Sequence, residues 1–448
     1  MPRQQFGFID LFAGCGGLSL GLSNAGWQGV FAIERDPHAF KTFEANFLSD
    51  DNHKKDWKFS WEQDWVPKGP NDLVMLILQK ETKLRGLRGK IDLVVGGPPC
   101  QGFSETGPRK ANDSRNRLFL QYIKFVDLVR PKLLLMENVR GIGFKFINHL
   151  GEQAGRLSTP SEVVEKKLGE AGYEVYSDLI YSYDFGVPQR RPRYILVGIR
   201  RDIARQLLGI DPFELLYGNK RDFLILKGLG HGDGNKVTTS EAISDLETRG
   251  KKLEVYPDWP AFKRISKPGY AVSAYQRLMR QRQYGKVPNS LRLPNHFAKT
   301  KEKFRDIIRA CKRKNRRGTS LSHEMREEFC MKKRSLTVLH PDKPSHTLTT
   351  LPDDFLHYDE PRILTVREMA RIQSFPDRFE FHGKYTTGGT SRTKEVPRYS
   401  QVGNAVPPLL AEVLGITLLE LLRKAKMATK ARSTTAKGIV EKDPPLAA

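Results

Sequence analysis

The chain has 448 residues, with 75 lysines and arginines against 51 aspartates and glutamates, a formal net charge of +24. This length predicts a large core and two domains, and the basic excess favours a polyanionic partner such as nucleic acid. Four cysteines without a C-x-x-C pair argue against a metal site or a disulfide framework. No apolar run or signal-peptide pattern indicates a membrane or secreted protein, so we expect a cytoplasmic protein.

The first 200 residues alternate short apolar runs with stretches of helical spacing, such as residues 118–129. This alternation predicts an α/β domain with a mostly parallel sheet that is covered on both faces. The apolar runs predict strands at residues 8–12, 30–33, 91–95, 133–136 and 194–199. Ligands bind such sheets at the carboxyl ends of the strands, and we expect every candidate motif in this half to lie at such an end.

A glycine-rich loop follows the first predicted strand, where residues 10–17 read Asp-Leu-Phe-Ala-Gly-Cys-Gly-Gly. Glycine lets the backbone approach a ligand that a Cβ atom would exclude. The spacing meets the G-x-G-x-x-G pattern only loosely and suits a nucleoside without a pyrophosphate. Glu34 ends the second strand about 20 residues later, where the ribose hydroxyls of a nucleoside cofactor are usually held. Together these features predict a nucleoside-cofactor site.

The third predicted strand runs into residues 96–104, which read Gly-Gly-Pro-Pro-Cys-Gln-Gly-Phe-Ser. The glycines break the strand, and the prolines fix the backbone and remove two amide donors. This stiff turn presents the Cys100 thiol in a set direction. The residues alone leave open whether Cys100 is a nucleophile or a buried packing residue. They also leave open whether residues 105–117 form a closing loop or an ordinary surface loop.

Three further charged residues lie at predicted strand ends. Glu137 follows the fourth strand and is either an acid in a site or a surface carboxylate. Arg191 and Arg193 alternate on one face of the strand that includes residues 194–199, where a sheet-edge ion pair is the simpler interpretation.

From about residue 201 to 350 the chain is basic and weakly periodic, with six residues at 312–317 that read Lys-Arg-Lys-Asn-Arg-Arg. Such a run is either a solvated helix face or a surface that contacts phosphates. The pattern becomes regular again from residue 361. The last residues are rich in lysine, threonine and alanine, and we expect them to be disordered.

Seven segments, in order, resemble the DNA cytosine-C5 methyltransferases of the prokaryotic restriction-modification type. They are residues 8–18, 33–36, 96–104, 136–139, 185–193, 364–376 and 401–408. The resemblance implies a Rossmann-like methyltransferase domain at residues 1–200 that depends on S-adenosyl-L-methionine. It also implies a smaller, irregular target-recognition domain at 201–355 and a return segment at 356–424 that completes the first domain, before a disordered tail at 425–448.

The same resemblance implies residue roles. The catalytic residues would be Cys100 as nucleophile, Glu137 as acid at cytosine N3, Arg193 at the base O2 and Arg191 beside the catalytic loop or a phosphate. The cofactor would have its adenine on Phe12 and its ribose at Glu34, and its remaining neighbours would be Asp10, Gly14, Cys15, Gly16, Gly17, Pro99 and Asn404. Either Asp56 or Asp64 could bind the adenine amino group. Double-stranded DNA would contact Gln101, Ser104, Gln189 and Thr347.

The implied reaction is methyl transfer to C5 of a flipped cytosine through a covalent Cys–C6 adduct. We expect a monomer, and the sequence leaves open whether a cognate restriction endonuclease acts on the same site. Two alternatives remain. A related branch methylates cytosine in transfer RNA, but usually has a different residue pair after Pro-Pro-Cys-Gln. An inactive DNA-binding relative should have lost Cys100, Glu137 or Arg193, and all three are present.

Overall fold

The computed structural model describes residues 5–49, 56–99, 118–144, 159–230, 236–281, 285–387 and 394–440, with side chains to residue 431. The strands are β1 (Gly7–Leu11), β2 (Gln28–Ile33), β3 (Leu93–Gly96), β4 (Leu133–Asn138), β5 (Tyr173–Tyr181), β6 (Gln189–Arg190), β7 (Pro192–Arg200), β8 (Leu253–Tyr256), β9 (Trp259–Ile265), β10 (Thr337–Val338), β11 (Ser345–His346) and β12 (Phe355–Leu356). The helices are α1 (Gly17–Ala25), α2 (Pro37–Phe47), α3 (Leu73–Gly86), α4 (Leu118–Val129), α5 (Pro160–Glu170), α6 (Arg201–Leu207), α7 (Pro212–Leu226), α8 (Thr239–Ile243), α9 (Ala274–Met279), α10 (Ala298–Arg313), α11 (His323–Glu328), α12 (Val366–Ile372), α13 (Arg398–Asn404) and α14 (Pro408–Val440).

The central sheet has six strands in the order β2-β1-β3-β4-β7-β5. The first four strands are parallel, whereas β7 runs antiparallel to both β4 and β5. The predicted α/β class with a mostly parallel sheet is therefore confirmed. In register, Leu11 lies opposite Gly96, and Gly96 lies opposite Met136. This alignment places the residues that follow β1 and β3, and the last residues of β4, along one edge of the sheet, which we call the catalytic edge.

The prediction that every motif lies at a carboxyl end is wrong for β7. Arg193 lies at the amino end of this strand, and Arg191 lies just before it. Because β7 is antiparallel to β4, its amino end reaches the same edge as the carboxyl end of β4, where Glu137 lies opposite Ile195. The reversed direction brings both arginines to the catalytic edge all the same.

The segment after residue 356 packs against the first helix of the sheet domain. A Cβ atom at Gly21 of α1 would lie 2.4 Å from the Ala411 Cβ of α14, so only glycine permits this close approach. The Trp27 indole donates a hydrogen bond of 2.9 Å to the Gly415 carbonyl. Helix α14 therefore covers α1 and extends the core of the sheet domain.

A second, smaller core lies in the basic part of the chain. One face of α10 buries Phe304, Ile307 and Cys311 against residues that include Val338 of β10 and Leu356 of β12. The opposite face of α10 carries lysines and arginines that are exposed to solvent. This division of apolar and charged faces explains why residues 298–313 form a helix despite their high charge.

The end of the chain differs from expectation. The tail was predicted to be disordered from residue 425, but α14 continues to Val440. Lysine and alanine, which are common in this stretch, are strong helix formers, and the helix is anchored by buried Leu421, Leu422 and Ala425. Among the described residues no single helix could cross a membrane by length and composition, although the bent pair Arg398–Asn404 and Pro408–Ala431 passes that test together.

Candidate active site

The glycine-rich loop after β1 is fixed by backbone contacts with the end of β2. Phe12 has a positive φ of 59°, which is rare for a side chain of this size and is found where the surrounding structure imposes it. The Ala13 amide donates to the Ile33 carbonyl at 3.0 Å. The Gly14 and Asp36 amides donate to the two Glu34 carboxylate oxygens at 2.8 and 2.7 Å. Glu34 is thus held by the loop at the position predicted for a ribose contact.

Asp10 is a buried carboxylate beneath this loop, with one oxygen unsatisfied. Its Oδ2 accepts a hydrogen bond of 2.6 Å from the Ser19 hydroxyl, whereas Oδ1 has no partner among the described residues. Burial raises the pKa of Asp10 to about 7. The hydrogen bond from Ser19 opposes this rise, and the charge of Glu34 adds to it. Burial also raises the pKa of Glu34. The buried Asp10 and the half-buried Glu34, two carboxyl groups at one loop, fit a ligand that carries positive charge and hydroxyl groups.

Cys15 lies in the same loop but has no features of a reactive thiol. Its side chain is buried, and its Sγ lies 3.6 Å from the Gln401 carbonyl oxygen. Burial raises the pKa of Cys15 to about 12, so the group stays protonated at neutral pH. Cys15 therefore packs the loop against α13 rather than contributing a nucleophile.

The structure adds Asn71, which the sequence analysis missed, to this end of the site. The Asn71 amide donates to the Glu34 carbonyl at 2.7 Å, and its side-chain Nδ2 is buried without a partner among the described residues. Asp56 and Asp64, the two candidates for an adenine contact, are both exposed. The resemblance implies an acidic residue at the adenine, so an asparagine at a loop position was not a candidate.

Glu137 and Arg193 meet at the catalytic edge. The Arg193 Nε lies 2.6 Å from the Glu137 Oε1, and both side chains are buried. A Cβ atom at Gly97 would lie 3.2 Å from the Glu137 Oε2, so the glycine allows the carboxyl group to approach the turn after β3. The Asn138 side chain donates to the Pro98 carbonyl at 3.3 Å and joins the same turn to β4. The carboxyl group and the guanidinium therefore lie directly beside the turn that leads to Cys100.

Three predicted residues of the site lie outside the described part of the chain, namely Cys100, Gln101 and Ser104. Pro99, the last described residue before them, is exposed at the catalytic edge, and so is Asn404 at the end of α13.

Arg191, Gln189 and Thr347 form a hydrogen-bonded connection between chain segments that are far apart in sequence. The Arg191 guanidinium donates to the Gly403 carbonyl at 2.8 Å and to the Leu348 carbonyl at 3.3 Å. The Gln189 Oε1 accepts from the Leu348 amide at 2.8 Å. The Thr347 hydroxyl donates to the Arg190 carbonyl at 2.9 Å. Gln189 and Arg191 are almost fully buried, and their hydrogen bonds join the segment around β6 to the segment after β11 and to α13.

A family model for C-5 cytosine-specific DNA methylases matches residues 6–420. The chain belongs to this family. It is 31% identical over 426 residues to the type II methyltransferase M.DdeI of Desulfomicrobium norvegicum, covering 91% of this chain and 86% of that protein. It is 30% identical to the type II methyltransferase M1.HphI of Haemophilus parahaemolyticus, covering 92% of this chain and 87% of the relative.

The fold agrees with this assignment. A solved structure from E. coli, described as a prophage-encoded DNA modification methyltransferase, superposes with a TM-score of 0.54 at 24% identity, covering 94% of this chain and all of the other. As a DNA cytosine-C5 methylase, the protein is an enzyme that acts on DNA, and its family uses S-adenosyl-L-methionine as the methyl donor. The loop with Asp10 and Glu34 and the pair Glu137–Arg193 lie along the same edge of the central sheet.

Proposed function

We propose that this methylase acts on specific duplex DNA sites through a covalent adduct between Cys100 and C6 of a flipped cytosine. The observation that carries the proposal is the buried contact of 2.6 Å between Arg193 and Glu137 beside the turn that precedes Cys100. Buried carboxyl and guanidinium groups at the carboxyl end of β4 suit a planar base that offers N3 and O2 on one edge.

In the proposed reaction, the Cys100 thiolate adds to C6 while Glu137 gives a proton to N3. The ring becomes an enamine, with electron density at C5. Arg193 donates to O2 and holds both the base and the Glu137 carboxyl group in place. After methylation at C5, the C5 proton is lost to solvent, the Cys100 thiolate is expelled and the N3 proton returns to Glu137, which restores the aromatic ring and both side chains. Because these atoms are inaccessible in a duplex, the cytosine has to leave the base stack.

S-adenosyl-L-methionine supplies the methyl group when it is bound. We assign Phe12 to the adenine, Glu34 to the ribose hydroxyls, and the methionine end to Asp10, Gly14, Cys15, Gly16, Gly17, Pro99 and Asn404. The unsatisfied Oδ1 of Asp10 and the raised pKa of this carboxyl support a cationic group nearby. Asn71, with its unpartnered Nδ2, is our candidate for an adenine contact in place of Asp56 or Asp64.

We further propose that residues 201–355 select the DNA site and that residues 356–424 belong to the catalytic domain. The packing of α14 on α1 supports the second assignment. Gln101, Ser104 and Thr347 would contact the DNA, and Gln189 would support Thr347 through the Leu348 amide. The type II names of the bacterial relatives support a role in a restriction-modification system. We propose that the protein acts there as a cytoplasmic monomer beside a cognate endonuclease.

The test compares methyl acceptors. Purified protein with S-adenosylmethionine labelled in the methyl group is incubated with unmethylated duplex DNA and, separately, with unmodified transfer RNA. The proposal expects label at C5 of cytosines in one short DNA sequence context and none in transfer RNA. Labelled transfer RNA without labelled DNA would favour the alternative enzyme branch, and binding to DNA without any transfer would favour an inactive relative.

A further inference from the structure

Four arginines meet at the edge of the sheet opposite the catalytic edge. They line an open cavity of about 450 Å³ together with two glycines and one aspartate, as follows: Arg88, Gly89, Arg130, Gly172, Arg200, Arg201 and Asp202. Arg88 follows α3, Arg130 follows α4, Arg200 ends β7 and Arg201 begins α6. Tertiary structure, rather than a basic run in the sequence, brings these side chains together. Strand β4 has six residues and separates the cavity from Glu137 by roughly 17 Å.

Backbone carbonyl groups hold these guanidinium groups in place. Arg88 donates to the Asp127 carbonyl at 2.6 Å, Arg200 to the Arg130 carbonyl at 2.8 Å, and Arg201 to the Gly169 carbonyl at 2.9 Å. A carbonyl acceptor orients a guanidinium without neutralising its charge. The cavity is therefore ordered before a ligand arrives, which lowers the entropic cost of binding.

Glycine at position 172 makes room for one of the arginines. Gly172 has a φ of +86°, and a Cβ atom there would lie 3.0 Å from a terminal nitrogen of Arg130. The Arg130 guanidinium also lies 5.5 Å from the centre of the Tyr173 ring. Burial raises the pKa of the Tyr173 hydroxyl, and the charge of Asp127 adds to this rise, whereas the charges of Arg130, Arg200 and Arg88 oppose it.

The charges of the cavity are not balanced within it. Four arginines and one aspartate line it, a net formal charge of +3 from +4 and −1. Asp202 is engaged by Arg200, with its two oxygens 2.6 and 2.8 Å from Nε and Nη2. In the described part of the chain, neither Arg88, Arg130 nor Arg201 forms an ion pair with a carboxylate. Three guanidinium groups thus keep donors for an anion.

We propose that this cavity is a binding site for phosphate groups, separate from the catalytic cleft and the cofactor site. One guanidinium group can donate two parallel hydrogen bonds to two oxygens of a phosphate group. Few other anions match the guanidinium group so well in geometry and charge. The concave shape and convergence from four chain segments fit a compact anion such as a diphosphate. The same chemistry could come from a free polyphosphate or from a phosphodiester of DNA outside the catalytic cleft.

The test is isothermal titration calorimetry of the full-length protein with inorganic pyrophosphate at low salt. We expect one site, and we expect Arg201→Gln to weaken binding about tenfold, the effect of losing one charge-assisted hydrogen bond. The matched control is Arg205→Gln, an equal loss of charge at an exposed position of the same helix, which should change affinity less than about twofold. Asp202→Asn, which removes the one lining carboxylate, should tighten binding, a gain that misfolding cannot imitate.

A competing duplex of poly(dA) and poly(dT), which has no cytosine, identifies the source of the phosphate. If the duplex displaces pyrophosphate, and if duplex binding depends less on salt in Arg201→Gln than in the wild-type protein, the phosphate source is DNA. If the duplex does not displace pyrophosphate, the source is a free polyphosphate. Absence of pyrophosphate binding by the wild-type protein, or equal losses in Arg201→Gln and Arg205→Gln, would overturn the proposal. Methyl transfer has no part in this readout, so the result does not depend on the proposed function.

Discussion

At the scale of single residues, the site depends on two kinds of buried carboxyl group. Glu137 pairs with Arg193 at the catalytic edge, whereas Asp10 has a neutral hydroxyl partner and an unsatisfied oxygen. The first arrangement fixes a side chain beside a guanidinium that can also reach a ligand. The second leaves Asp10 Oδ1, which has no partner among the described residues, available to a ligand. The two carboxyl groups should therefore respond differently to substitution.

Glu137→Gln keeps the shape of the side chain but removes its acidic proton. We expect the single-turnover rate of methyl transfer to fall by about two powers of ten or more, because the N3 proton donor is lost, while the DNA affinity changes less. The control is Glu81→Gln, on the exposed surface of α3, which should keep the wild-type rate. An unchanged rate in Glu137→Gln would contradict the assigned role.

Asp10 should make cofactor binding depend on pH. Its pKa is raised to about 7, so the group becomes ionised as the pH rises from 6 to 8. Ionised Asp10 attracts a cation and the protonated form does not, so S-adenosylmethionine should bind several-fold more tightly at pH 8 than at pH 6. Calorimetry across this range would measure the effect. Asp10→Asn should bind more weakly and lose most of the dependence, and a variant with the wild-type profile would exclude Asp10 as the source.

At the scale of elements, the basic turn after α10 lies close to β11, the strand that precedes Thr347. The His346 imidazole is hydrogen-bonded to the Gly318 carbonyl, and His346 directly precedes Thr347. Strand β11, which includes His346, pairs with β6 beside Arg190. Arg316 and Arg317, which precede Gly318, are thus near the candidate DNA contact.

Neutralising Arg313, Arg316 and Arg317 together should weaken binding to all DNA sequences and flatten its salt dependence. Each lost phosphate contact should lower the slope of log affinity against log salt by about one, and the methylated site should stay the same because phosphates carry no direct sequence information. Fluorescence anisotropy over a salt series measures the slope. The control replaces Lys299 and Lys301, exposed at the other end of α10. An unchanged slope in the triple variant would assign these arginines to a solvated helix face.

The strands of the sheet were predictable where they are buried on both faces. Strands β1 to β4 and β7 appear as apolar runs, because helices cover both faces of the sheet. Strand β5 was missed because it alternates buried Tyr173 with exposed Glu174 at the sheet edge. The antiparallel direction of β7 was not predictable from its composition, because a run of apolar residues looks the same in a parallel and in an antiparallel strand.

The positions of Glu34 and Glu137 at one edge of the sheet were predictable, because each lies at a strand end in a recognisable motif. The contacts of Arg191 were not, because its partners Leu348 and Gly403 lie 157 and 212 residues away. Nothing in the local sequence indicates that an arginine beside a strand donates to two distant carbonyl groups. Asn71 was missed for a similar reason, since only the folded chain brings it to Glu34.

At the scale of the whole molecule, buried ion pairs join the basic region to the return segment. Arg371 of α12 lies 2.6 Å from Asp377 and 3.2 Å from Asp245, with all three side chains almost fully buried. Arg280 contacts the same Asp245. Removing one member of such a group leaves an unpaired buried charge, which costs more than the pair contributes.

Asp245→Asn should therefore destabilise the protein by about 3–5 kcal/mol, measured as the free energy of unfolding in urea. The matched control is Asp359→Asn, whose partner Arg249 is largely exposed, and which should change stability little. Equal stability of the two variants would mean that water or a rearranged side chain compensates Arg371 and Arg280.

The central claim is that Cys100 forms a covalent bond with the target cytosine, and trapping on fluorinated DNA tests it most directly. Duplex DNA with 5-fluorocytosine in place of every cytosine is incubated with the protein and S-adenosylmethionine, and the cross-linked peptide is identified by mass spectrometry. A fluorine at C5 cannot leave as a proton, so the adduct should persist on Cys100 and should be absent in Cys100→Ser. Attachment at another residue, such as the exposed Cys330, or no adduct from a preparation that methylates ordinary DNA, would contradict the account.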